Sequence, residues 1–431
     1  MASAAAERVL SIQSHVVYGY VGGKAAVFPL QCLGFDVDVV NTVHFSNHAG
    51  YGRAGGTKAG AAELNAIFES MDWNELMAPT RLLTGYVPGA EGLSAVAGLA
   101  RKLKEERPEI IYLLDPVMGD AGRLYVAADV IPIYREMLPL ATLIAPNWFE
   151  VETLTQIQLK DLPSLQQALK VLHEQYRVPN VVITSIPLQQ WLYDVLPPGI
   201  QPPADEEHLL CITSASPSSS SSSSASAPSS DISTVHALSV PLIQGYFSGV
   251  GDLFSALLLA HFDPIAATIG DAAAAAHEDP ASSLFAPSSA PSPAPSPSPS
   301  PPPSPPLPAS EETLALQIQL EPQPQPQHEP QTQLQLQLNH HHHRAHQTPV
   351  SLAAAHALAK THHVLLLTDA HARTLPEPER LPTDDEEDTA EPLRRTRRMK
   401  GRELRLVQSL DVLRGQGVRV RALNAWSGFW G

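Results

Sequence analysis

The sequence predicts an α/β fold, a mostly parallel central sheet with helices on both faces. Three observations lead there. Short, continuous apolar runs recur along the chain, as in strands buried on both faces. Amphipathic stretches of helical length separate several of them. Each run closes on a turn signal, so strand, helix and strand repeat as right-handed βαβ units.

The runs come in a clear order. "RVLSIQS" opens the series. "GYVGGKAA" (Gly19 to Ala26) supplies a glycine-permitted turn into the helix "KAAVFPLQCLG", and "FDVDVVNTV" follows. After "RLLTGYV" comes the helical "EGLSAVAGLARKLKEERP", which ends in basic residues and a proline. "EIIYLLDPVMGD" and "TLIAPNWFE" precede the helical "LPSLQQALKVLHEQY", then "NVVITS" and "HLLCIT". In "QGYFSGVGDLFSALLLAHF" the apolar stretch from Leu253 predicts a buried helix beginning near Gly251.

Composition sets bounds. Of 431 residues, 17% are charged, below the ~25% usual for globular chains. The net charge of −16 argues against generic binding to nucleic acid or membrane surfaces. Two cysteines, Cys32 and Cys211, argue against a disulfide framework and fit a reducing compartment. The start lacks the pattern of a secretory signal, and the apolar runs fall short of the ~20 residues that span a bilayer. The expectation is a cytoplasmic protein with a single domain over 1–430.

Three stretches break the pattern and are expected to be disordered inserts in that domain. They are the serine tract 214–231, the Ala-, Pro-, Gln- and His-rich 271–347, and 374–402, where an acidic block adjoins a basic one. Such tracts bury too little apolar area to offset backbone entropy. The run Arg394 to Arg402 has the composition of a nuclear-import signal, balanced by the acids at 384–388. Deleting 272–347 is expected to leave catalysis nearly intact.

In open α/β sheets ligands bind beyond the carboxyl ends of the strands. The polar residues there are Ser14, Asn47, His48, Tyr86, Asp115, Asp120, Asn147, Glu150, Thr184 and Ser185. Each has a plain structural reading: Asn147 and Glu150 stand at capping-box spacing, Asp115-Pro116 is a turn, and Thr184-Ser185 a helix cap. Their accumulation favours chemistry, because Asp115, Asp120 and Glu150 are hard oxygen ligands of the kind Mg²⁺ takes together with substrate phosphates. "GYVGGKAA" fails the Walker A spacing, and no G-x-G-x-x-G follows the first strand.

Gly249-Val250-Gly251-Asp252 carries the sharpest reading. The first N–H groups of a helix lack internal partners, and glycines let an anion approach them. Those amides form an anion hole for a phosphoryl group in transfer, and Asp252 takes the proton of the attacking alcohol. The plain alternative is a glycine turn followed by a first-turn acid.

These residues resemble a known group. G-x-G-D opening a helix, with N-x-x-E upstream, resembles the ribokinase-like superfamily of small-molecule kinases. "RVLSIQSHVVYGYVGGKAAVFPLQCLGFDVDVVNTVHFSNHAGYG" resembles the opening of the pyridoxal kinase family. "LLTGY", "DPVMGD", "APNWFE", "VVITS", "YFSGVGDLFSALLLAHF", "ALAKTHHVLLLT" and "ELRLVQSLDVLR" follow in that family's order.

The resemblance implies a ribokinase-like three-layer sandwich. It implies transfer of the ATP γ-phosphate to the 5′-hydroxymethyl of pyridoxal, pyridoxine or pyridoxamine. A homodimer, Mg²⁺ or another divalent cation, and K⁺ or Na⁺ as activator come with it. By position, Asp252 resembles the catalytic base, and Gly249, Val250 and Gly251 the anion hole. Ser14, Val21, Ala49 and Tyr86 resemble the substrate site. Asp115, Asn147, Glu150, Thr184, Ser185, Ile243, Gln244 and Gly245 resemble the ATP site, and Asp115, Asp120, Glu150 and Thr184 the metal site. Three positions depart from the family: Ala49 and Ala145 stand where relatives have Thr, bearing on vitamer preference and cation dependence, and Val250 replaces Thr in the anion-hole loop. A hydroxymethylpyrimidine kinase, which typically has Cys at the Asp252 position, is the sister reading; a non-catalytic B6-binding scaffold is the other.

Overall fold

The computed structural model describes residues 7–203, 206–217, 232–264, 347–380 and 389–431. The chain divides into one unit of 1–269 and 345–431 and a second, 270–344, which lies outside the described residues. The strands are β1 (Arg8–Val16), β2 (Asp36–Phe45), β3 (Gly56–Lys58), β4 (Arg81–Thr84), β5 (Ile111–Leu114), β6 (Gly119–Asp120), β7 (Arg123–Leu124), β8 (Leu143–Ile144), β9 (Asn180–Pro187), β10 (His208–Ala215), β11 (Thr234–Pro241) and β12 (Asn424–Ala425). Among the described residues one sheet runs β12-β11-β10-β9-β8-β5-β4-β1-β2-β3, and β6 and β7 form a separate hairpin. The centre from β2 to β9 is parallel, while β3, β10, β11 and β12 join antiparallel. Apolar runs do not encode direction, so the antiparallel return at "HLLCIT" escapes the βαβ reading.

The helices used below are α1 (Gly23–Cys32), α2 (Ala61–Trp73), α3 (Ala90–Glu106), α4 (Val130–Met137), α5 (Trp148–Thr155), α6 (Leu162–Lys170), α7 (Gln190–Tyr193), α8 (Val250–His261), α9 (Pro349–Ala372) and α10 (Pro392–Gly401). Successive strand residues point to opposite faces. Leu82, Tyr112, Val181 and Ile212 enter a core with Leu64, Val96, Tyr134, Val151 and Leu165 of α2 to α6. Leu83, Leu113, Val182 and Cys211 enter a second core with Leu30, Leu257 and Ala354 of α1, α8 and α9. Two cores, one per face, are why these runs are apolar at every position rather than alternating.

The second core fixes α8. Seven consecutive residues, Leu253 to Leu259, are buried. At its far end the buried guanidinium of Arg81 donates to the carbonyls of Leu259 and Phe262 at 2.6 and 2.7 Å and lies over the Phe35 ring. A cation on the last carbonyls suits the negative end of the helix dipole.

The three expected inserts fare differently. Within 214–231, Ser214 and Ala215 belong to β10; Ser214 is buried, its hydroxyl 2.7 Å from His173 Nε2, and 218–231 lie outside the described residues. Of 271–347 only Gln347 is described, and its amide donates to Leu423 O at 2.8 Å. Of 374–402, residues 381–388 with their acidic block lie outside the described residues, and the rest is a correction. It contains a short turn, Glu377–Glu379, and α10, with Arg394, Arg398 and Met399 buried. Arg397 of α10 pairs with Glu379 of that turn and, at 2.9 Å, with Glu391. Long basic side chains bury their stems against apolar neighbours, which a count of charges misses.

Candidate active site

β1 and β2 change register between Gln13 and Ser14, so Ser14 sits at a break in the ladder at the carboxyl end of β1. Its neighbour is Gly22, where a Cβ would fall 2.2 Å from the Ser14 hydroxyl. The Gly22 amide, at the start of α1, donates to Asp252 Oδ2 at 2.8 Å. One turn, Tyr20 to Gly22, thereby brings Ser14, Val21 and Asp252 together.

α8 opens on Gly249, whose φ of +81° is left-handed. A Cβ there would lie 2.0 Å from Tyr20 O, so both backbone shape and space require glycine. The first internal bond runs from Leu253 N–H to Gly249 O, and no side chain caps the helix. The amides of Val250, Gly251 and Asp252 therefore stand at an open, positive helix end.

Asp252 and Ser255, one turn apart, address the same neighbour. Ser255 Oγ donates to Asp115 Oδ2 at 2.8 Å, and Asp115 is buried at the end of β5. Burial first, then the charge of Asp252, push the Asp115 carboxyl up to about 7, against the Ser255 hydrogen bond. Burial also raises Asp252, opposed by the Gly22 amide. Glu150 is raised well above the ordinary range by burial and then by the charge of Asp115. The three acids thus form an electrostatic file across the strand ends.

Glu150 is also held by the backbone. Its carboxylate accepts the Met118 and Asn147 amides, each at 2.9 Å. The Asn147 side chain accepts the Glu150 amide at 2.9 Å and donates to Gly119 O at 2.8 Å. This is the capping box expected from N-x-x-E, and it also ties the β6–β7 hairpin to α5. Asp120 lies exposed on that hairpin, its carboxylate accepting the Ala121 amide at 2.7 Å.

Other expected residues are less central. Thr184 and Ser185 lie inside β9, not beyond it; the Thr184 amide donates to Pro146 O at 3.1 Å, beside Asn147. Tyr86 is half-buried, its phenol raised by burial, and its carbonyl accepts the Thr42 hydroxyl at 2.7 Å. Ala49 is exposed on a short turn, Ala49–Tyr51. Ile243, Gln244 and Gly245 lie on the loop into α8, with Gln244 bonded to Glu207 and Gly245 next to the Arg402 guanidinium. Among the described residues, no group of three or more His, Cys, Asp or Glu side chains is disposed to hold a metal ion. The expected set Asp115, Asp120, Glu150 and Thr184 is thus no ready-made cage. Two of its acids, Asp115 and Glu150, crowd one another's charge, which suits an ion that brings most of its own ligands.

Sequence reading missed Glu403, which joins three segments of the chain here. Glu403 accepts the Tyr20 amide at 2.8 Å and the Tyr51 hydroxyl at 2.7 Å, and lies 2.9 Å from His48 Nε2. Its partners lie hundreds of positions away, beyond the reach of any local pattern. Ser255 was missed too; its i+3 spacing from Asp252 is the signal that places both on one helix face.

Comparison with known proteins gives the family. Residues 65–227 match the model of the phosphomethylpyrimidine kinase family. The pyridoxal kinase of Arabidopsis thaliana is 39% identical over 253 residues, 58% of this chain and 73% of that one. The pyridoxal kinase of Sus scrofa is 38% identical over 261 residues, 59% of this chain and 74% of that one. Among solved structures, pyridoxal kinase from Leishmania donovani in complex with ADP and pyridoxamine matches with a TM-score of 0.61 at 25% identity, covering 97% of this chain and 99% of that one. The ladder of parallel strands, the open glycine turn before α8 and these identities converge: the chain belongs to the pyridoxal kinase family, with the ribokinase-like fold.

Proposed function

We propose that this protein transfers the γ-phosphoryl group of ATP to the 5′-hydroxymethyl of pyridoxal, pyridoxine or pyridoxamine. The observation that carries this reading is the open N-terminus of α8 with Asp252 in its first turn, its carboxylate held by the Gly22 amide next to Ser14. Asp252 takes the proton from the attacking hydroxyl; burial raises its pKa toward the range useful to a general base. The amides after Gly249 hold the transferring phosphoryl oxygens, with no reorganisation needed as charge develops. Ser14, Val21 and Tyr86 hold the vitamer ring. Asn147, Thr184 and Ser185 border the nucleotide phosphates, and Ile243 to Gly245 its base.

A divalent ion arriving with the nucleotide would sit toward Asp115 and Glu150 and neutralise phosphate charge. Asp115 and Glu150 would then be relieved of their mutual repulsion. A monovalent activator and a homodimeric state belong to the same proposal, as does a cytoplasmic setting. No helix among the described residues is long and apolar enough to cross a membrane.

The experiment is ATP-dependent formation of the phosphorylated vitamer, followed by chromatography, with Asp252→Asn alongside. Product only from the parent protein supports the reading. Background product from both ends it and returns the scaffold alternative.

A further inference from the structure

We propose that Glu403 is a positioning residue for phosphoryl transfer, coupling the substrate-side turns to the first turn of the catalytic helix. This rests on the kinase reading above. The carboxylate has two arms. Through Oε2 it receives the Tyr20 amide at 2.8 Å. Tyr20 begins the turn whose Gly22 amide binds Asp252, and its carbonyl is the surface on which Gly249 rests. Through Oε1 it meets the Tyr51 hydroxyl at 2.7 Å and His48 Nε2 at 2.9 Å.

His48 extends the second arm. Its Nδ1 accepts the Gly50 amide at 3.2 Å, so Nε2 carries the proton directed at Glu403. Nδ1 is also 3.2 Å from Ser248 Oγ, one residue before Gly249. Both arms therefore end at the start of α8, one at Asp252 and Gly249 and one at Ser248. His48 and Glu403 side chains are only 8% and 11% exposed, so water competes little for these bonds. Burial pushes the Glu403 carboxyl up, yet the hydrogen bonds from His48, Tyr51 and the Tyr20 amide outweigh it and hold it below the ordinary range.

The segment that delivers Glu403 grips the same turn directly. In α10, Arg395 Nε donates to Gly50 O at 2.9 Å, and Met399 packs against Gly50. Residues 392–403 thus act as a strap on the turn that follows β2, with Glu403 at its inner end.

The test is Glu403→Gln in the full chain. An amide has one acceptor oxygen, so either Tyr20 or the His48–Tyr51 pair loses its partner. The expected result is a fall in kcat of about tenfold or more, with KM for ATP within about threefold of the parent. A purely structural role would lower the melting temperature and leave kcat per folded molecule unchanged. Combination with Ser248→Ala reads the coupling: the serine change costs turnover in the parent background and little in Glu403→Gln. Parental kcat in Glu403→Gln, or losses that simply multiply in the double variant, overturns the proposal. Turnover by the parent shows that the kinase reading stands independently. Should Glu403→Gln not fold, Ser248→Ala and Tyr51→Phe carry the test, and parental kcat in both overturns it.

Discussion

Two helices in this molecule begin beyond strand ends, α5 after β8 and α8 after β11, and they begin in opposite ways. α5 closes its own N-terminus: Asn147 and Glu150 satisfy each other's amides. α8 leaves its N-terminus open behind a left-handed Gly249, with no capping side chain. Both carry an acid in the first turn. Glu150 accepts amides on both oxygens, whereas the bond recorded for the Asp252 side chain is the one from Gly22. The contrast separates scaffolding from chemistry. A closed helix end holds a hairpin in place; an open one offers its amides to an incoming anion.

Substitutions at the two ends should split accordingly. Asp252→Asn should cost turnover about a hundredfold to ten-thousandfold while the protein stays folded, as judged by circular dichroism. Turnover within tenfold of the parent would remove Asp252 as the base. Gly249→Ala should come next, at about a hundredfold in kcat with about 1–3 kcal/mol of lost stability, since the left-handed backbone and Tyr20 O both oppose a side chain. Gly251→Ala is the matched control. No atom of the chain lies within 4 Å of a Cβ there, so stability should hold or rise. Equal losses at both glycines would undo the idea that the turn, rather than the helix, is specialised.

At the closed end, Asn147→Ala should act on stability first, by about 1 kcal/mol from the lost cap, read by urea denaturation. A large fall in kcat without destabilisation would move Asn147 to the chemical side of the comparison. A smaller effect has an unusual sign. Asp115 is raised to about 7 when folded and stands near 3.8 otherwise, so the folded state binds the extra proton. Its ionised form therefore lowers stability above pH 7, and the penalty fades as pH falls toward 4. In protein stripped of divalent ions, Asp115→Asn should raise the melting temperature at pH 8 and not at pH 4, at the expense of activity. A variant that melts lower at pH 8 would contradict this. Smallest of all, removing 272–344 should leave kcat within about twofold. The cut stops short of Gln347, whose hydrogen bond to Leu423 ties down the start of α9.

Much of this was legible in the sequence, for physical reasons. Doubly buried strands write themselves as unbroken apolar runs, and Leu82-Leu83 or Val181-Val182-Ile183 feed the two cores as such runs must. N-x-x-E and G-x-G-D are local signals, and the local geometry at Asn147 and Gly249 follows them. What escaped was long-range or concealed. The antiparallel return of β10 leaves no mark in composition. Thr184 and Ser185 lie inside the strand that the run "NVVITS" predicts to end before them, because a strand's end is set by its neighbours. Glu403 gathers partners from the far end of the chain. The run "RRTRRMKGR" looked like solvated charge, yet Arg394, Arg398 and Arg402 are buried.

Arg81 gives the architecture a further consequence. By holding the carbonyls of Leu259 and Phe262 from β4, it fastens the exit of α8 to the centre of the sheet. A displacement at the carboxyl end of α8 therefore meets the sheet before it meets the turn that carries Asp252. The geometry at Asp252 is thereby anchored from the opposite end of its own helix.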